Sequence, residues 1–127
     1  MNAEPSAEAP TGYVDCFAAA VPDANRERYV VHASDCAVVF REHGALQVTE
    51  CWADDVPEGE LTSFPNAVKR SEGESVVIGF VLWPSKDVRD KAWGAIMEDP
   101  RMKMTPETMP FDGKRLIHGG FERIVSA

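Results

Sequence analysis

Basic charge is scarce in this chain. Thirteen Lys and Arg stand against 21 Asp and Glu, a formal net charge of −8. Such a surface repels a phosphate backbone unless a basic patch gathers somewhere. Lys69-Arg70 and Lys114-Arg115 are isolated pairs that read as solvated charges, so no nucleic acid is expected as a partner. Long apolar runs are missing too. Nothing approaches the ~20 apolar residues of a membrane-spanning helix, and no membrane partner is expected. Cysteine is sparse: Cys16, Cys36 and Cys51 are odd in number and form no CxxC. They read as reduced thiols packed as small core residues, not as a disulfide framework. His32, His43 and His118 fall on three separate predicted elements, so no metal is expected; His43 reads as a residue of a helix C-terminus. A glycine-rich phosphate loop and a Gly-x-Ser-x-Gly elbow are both absent, and no cofactor is expected.

What is present is the makeup of one globular domain, with 44% hydrophobic and 27% charged residues. Residues 1–11 hold Glu4, Glu8 and two prolines, without the basic start and apolar centre of a secretion signal. They read as a disordered arm ahead of a single domain over residues 12–127, in the cytoplasm.

The organising stretch is Val76-Val77-Ile78-Gly79-Phe80-Val81-Leu82-Trp83-Pro84. It carries no charge, as a strand buried on both faces requires. A first strand is predicted over residues 13–21, stopped by Pro22, with Asp23 available to cap a helix over residues 24–43. Tyr29, Ala33, Cys36, Ala37 and Phe40 give that helix one apolar stripe, and Gly44 ends it. Residues 45–53 alternate as a strand, with Leu46, Val48, Glu50 and Trp52 on one face. Residues 54–66 form a loop with Pro57, Gly59 and Pro65, long enough to suggest a functional segment with Phe64 buried. After the central strand, Ser85 caps a second helix over residues 86–99, and a last strand covers residues 115–125. The order is βαβ twice. It predicts an α+β, ferredoxin-like βαββαβ sandwich: a four-stranded antiparallel sheet with both helices on one face through right-handed crossovers.

Several runs resemble the YbaA-like family of bacterial proteins of unknown function. They are Tyr13-Val14-Asp15, Glu50-Cys51-Trp52-Ala53-Asp54-Asp55-Val56-Pro57, Thr62-Ser63-Phe64-Pro65, Asp99-Pro100-Arg101-Met102, Met109-Pro110-Phe111-Asp112-Gly113-Lys114-Arg115 and Gly119-Gly120-Phe121-Glu122. The resemblance spans about residues 13–125, with His118 standing where the family leads one to expect Tyr. It implies a ferredoxin-like fold of the dimeric α/β-barrel type. That superfamily holds cofactor-free monooxygenases, isomerases and proteins with no known reaction, so the fold alone does not select a function.

Four residues are candidates for a pocket. Asp15 is a carboxylate in an apolar strand, expected on the face away from the helices with Phe17. His118 lies on the last strand, which this topology sets beside the first, and is expected to meet Asp15. Glu50 sits among apolar neighbours, as a ligand, an acid or, more simply, half of a buried pair with a base. Phe80 sits on the helix-free face of the central strand. Phe17, Ile78 and Phe80 there would form an apolar band that a homodimer covers. The expected function is that of an uncharacterised soluble homodimeric protein binding a small molecule in the barrel. The alternative is a cofactor-free monooxygenase or isomerase acting on a small aromatic or lactone-like substrate.

Overall fold

The computed structural model describes residues 12–127. The arm expected over residues 1–11 lies outside the described residues. The elements run β1 (Tyr13–Pro22), α1 (Arg26–Glu42), β2 (Gln47–Trp52), a short α2 (Phe64–Ala67), β3 (Glu74–Trp83), α3 (Lys86–Glu98) and β4 (Ile117–Glu122). The strands form one sheet in the order β2-β3-β1-β4, with every neighbouring pair antiparallel. This is the ferredoxin-like arrangement. β1 and β3 are the long inner strands, ten residues each, and β2 and β4 are six-residue edges. The sheet is open, so the barrel implied by the resemblance is not a property of one chain.

The central strand is buried as its composition requires. Val77, Val81 and Trp83 face the helices, where Trp83 packs with Val39 of α1 and with Ala92 and Ile96 of α3. Ala19 and Val21 of β1 join Tyr29 and Val77 in a second cluster on that face. The other face is partly covered from residues 54–73. Ser63 accepts from the Asn66 amide at 3.0 Å and starts α2. Val68, just after it, packs on Ala18, Ala20 and Val76.

Helix ends follow local chemistry, with one correction. Ser85 caps α3 by accepting from the Val88 amide at 3.2 Å, as expected. Asp23 does not cap α1. A 3-10 turn (Asp23–Asn25) intervenes, and the Asp23 carboxylate instead accepts from the Ser75 hydroxyl of β3. Gly44 closes α1 at φ +109°, a conformation that suits glycine.

Candidate functional site

Asp15 is 8% exposed, on the face opposite to the one expected. β1 carries small apolar residues on both of its faces, so strand parity alone does not say which face the helices cover. The partners decide it. Trp83 of β3 and Trp93 of α3 each donate an indole N–H to Oδ2 at 2.9 Å. Arg89 of α3 donates from Nη2 to Oδ1 at 2.7 Å and from Nε to both oxygens at 3.1 Å. Burial by itself would push the carboxyl up. The hydrogen bonds from Arg89, Trp93 and Trp83, together with the guanidinium charge, outweigh it and hold the carboxyl below the usual range. This is a saturated anion that fastens α3 to the sheet. It has no free lone pair directed at a substrate and little basicity to offer.

His118 pairs with Phe17, and Asp15 pairs with Gly120. Among the described residues no hydrogen bond or ion pair joins His118 to Asp15. The expected Asp–His couple therefore does not form.

Phe17 is a second correction. It pairs with Gly79, and a side-chain carbon built on Gly79 would lie 2.1 Å from Phe17 Cζ. Gly79 alternates in step with Val77 and Val81, so the Phe17 ring lies on the helix side, in the space the missing side chain leaves. Phe17 thus leaves the helix-free band.

Glu50 faces α1 as its strand parity predicts, but its partner is Tyr29, not a base. The Tyr29 hydroxyl donates to Oε1. Burial pushes the Glu50 carboxyl up, partly offset by the Tyr29 bond; burial and the Glu50 charge push the Tyr29 hydroxyl far up. The two lie in a cleft of about 250 Å³ between α1 and the β2 edge.

Phe80 is where it was expected, on the helix-free face and 41% exposed. Around it Cys16, Ile78, Ile117, Phe121 and Phe64 line an apolar depression of about 340 Å³; the His118 side chain, in register with Phe17, points to the helix side. Phe64, expected to be buried, stays 54% exposed at this rim. Cys51, expected in the core, is exposed. The four candidates therefore divide: Asp15 and Glu50 on the helix side, in separate settings, His118 on that same side by its register with Phe17, and Phe80 alone on the other face. Of the partners that define these settings, Tyr29 reads in the sequence only as part of the α1 apolar stripe, and Arg89 and Trp93 carry no signal that joins them to Asp15.

Among the described residues no group of three His, Cys, Asp or Glu side chains is placed to hold a metal ion. No helix there is long and apolar enough to cross a membrane. The sequence pattern of the family described as "Protein of unknown function (DUF1428)" matches residues 12–113. The chain belongs to the DUF1428 family. The "Uncharacterized protein YbaA" of Escherichia coli (strain K12) is 52% identical over 113 residues, covering 89% of this chain and 97% of that protein. The protein of the same description from Shigella flexneri matches equally. Among solved structures, a dimeric ferredoxin-like protein from an uncultured marine organism superposes with a TM-score of 0.55 at 12% identity. It covers 93% of this chain and 98% of its own. That likeness supports the fold of this DUF1428 chain, not an activity. The relatives carry no reaction in their descriptions, and this member of the family remains one of unknown function.

Proposed function

We propose that this DUF1428 chain acts as a homodimer, joined through the helix-free face of its sheet, which encloses a small apolar molecule between the two sheets. One observation carries the reading: Phe80, Ile117, Phe121 and Phe64 are 41%, 46%, 57% and 54% exposed together on one face. Exposed apolar residues gathered this way mark an interaction surface. Four strands ~4.8 Å apart, with ~3.3 Å per residue along the inner pair, make a face of roughly 20 by 30 Å, close to the ~800 Å² each partner buries in a stable dimer. A two-fold axis makes the face its own complement and closes the two open sheets into a dimeric α/β barrel. The ferredoxin-like protein of similar fold is described as dimeric, which agrees.

The depression of about 340 Å³ on each face supplies the chamber. Its lining selects an uncharged, largely apolar or aromatic molecule. The three thiols, unpaired with one another, suit a reducing cytoplasm. The oxygenase or isomerase alternative has no comparable observation behind it, because Asp15, its candidate base, is saturated by Arg89 and two indoles.

The test is equilibrium dialysis against 1-naphthol, with wild type, Phe80→Glu and, as a control on the helix side, Val31→Glu. Saturable binding by wild type and Val31→Glu, lost in Phe80→Glu, is expected. A dimer that takes up no naphthol, or binding untouched by Phe80→Glu, overturns the ligand reading.

A further inference from the structure

Away from that face, the Tyr29–Glu50 cleft holds a carboxylate without a counter-charge. Among the described residues Glu50 forms no ion pair, and its one hydrogen-bond partner is the Tyr29 hydroxyl on Oε1. Oε2 has no hydrogen-bond partner among the described residues and is not among the buried unpartnered atoms, so it keeps contact with solvent, and Glu50 lines the cleft. A half-buried anion in this state is costly unless a cation meets it. The Arg26 guanidinium stands over the Trp52 ring that walls the cleft, 5.2 Å from its centroid, and among the described residues it pairs with no carboxylate.

The walls are made for an organic group. Ala33 and Ala37 keep the α1 side low, while Val48 and Trp52 form the β2 side and Tyr29 adds its ring. Tyr29 and Trp52 meet edge to face, 6.3 Å between centroids. The cleft holds about 250 Å³, below the ~300–1,000 Å³ of sites for drug-sized ligands. One fixed carboxylate oxygen, a tyrosine that orients it, aromatic edges and a small apolar trough match a primary ammonium on a short apolar body. The net charge of −8 favours the approach of such a cation.

We infer that the cleft between α1 and β2 binds a small primary amine, with its ammonium on Glu50 Oε2 and its apolar part against Trp52 and the alanines of α1. Glu50 supplies the charge contact and Tyr29 is a positioning residue. This site lies on the opposite face from the inter-sheet chamber and stands or falls separately from it.

The experiment is a ¹⁵N-NMR titration of the full chain with benzylamine, benzyl alcohol and benzoate at neutral pH. Benzylamine is expected to shift amides of α1 and β2 and the Trp52 indole N–H saturably, with benzyl alcohol and benzoate at least about tenfold weaker, the scale of one hydrogen bond to a charged group. Glu50→Gln should lose the benzylamine preference, and Tyr29→Phe should weaken benzylamine without restoring the alcohol. If Glu50→Gln does not fold, the three-probe comparison on wild type decides alone. Equal binding of amine and alcohol, shifts confined to residues around Phe80, or no saturable shift with benzylamine each overturn the inference. Phe80→Glu should leave benzylamine binding in place, which separates this site from the chamber.

Discussion

Replacing Asp15 by Asn removes one charge and leaves the shape nearly unchanged. The Asn carbonyl oxygen still accepts from the Trp83 and Trp93 indoles, which lie 2.9 Å from the present carboxylate. What is lost is the anion facing Arg89, held at 2.7 Å with only 11% of the Asp15 side chain exposed. Breaking a buried pair from one side costs ~3–5 kcal/mol, because the remaining charge is stranded. Arg89 is 23% exposed and also pairs with Asp90 at 3.0 Å, so the low end, about 3 kcal/mol, applies. At this chain length about 4 °C per kcal/mol makes that roughly a 12 °C loss in Tm. Urea titration at fixed protein concentration measures it directly. Adding Arg89→Met should recover about 1 kcal/mol or more, since the stranded guanidinium is gone. The pH dependence has a definite sign. The folded carboxyl is held below its unfolded value of ~3.9, so its contribution is complete above that pH and fades as pH falls through the folded value. The gap between wild type and Asp15→Asn should therefore narrow below about pH 4. A neutral-pH difference under about 1 kcal/mol, or a gap that widens in acid, would refute the anchoring role.

Gly79→Ala should destabilise by about 1–3 kcal/mol, since the new methyl meets the Phe17 ring at 2.1 Å. In a Phe17→Leu background the same change should cost clearly less by urea titration; equal costs in both backgrounds would show that the ring is not over Gly79. Cys36, whose thiol burial and the nearby Glu50 and Asp35 charges push up to about 11, should resist iodoacetamide at pH 8. Unfolding in urea should speed its alkylation on the order of a hundredfold as the thiolate becomes accessible, read by mass spectrometry; a native rate equal to the unfolded one would contradict its burial.

The fold was readable because its signals are local and repeat. Pro22 and Pro84 end two strands, Ser85 caps α3, and Val77, Val81 and Trp83 alternate with Ile78 and Phe80. The candidate site was less readable, for a physical reason. On β1 both faces are largely apolar, since Ala19 and Val21 meet the helices while Ala18 and Ala20 meet Val68. Side-chain size therefore could not tell which face Asp15 joins, and the answer rests on three hydrogen-bond donors far away in sequence. Glu50 was placed correctly by alternation, but its Tyr29 partner lies on the helix stripe, where a tyrosine reads as core. Phe17 misled because its room comes from Gly79, a cross-strand neighbour that sequence order does not pair with it. Phe80 succeeded because the flanking central-strand residues fix its face without help from a partner.

Sedimentation velocity of the wild-type chain, diluted from high to low micromolar concentration, tests the dimer most directly. The sheet-to-sheet reading predicts a species of twice the 14.0 kDa chain mass that Phe80→Glu reduces to a folded or unfolding single chain. A folded wild-type species of 14.0 kDa throughout the series would contradict it.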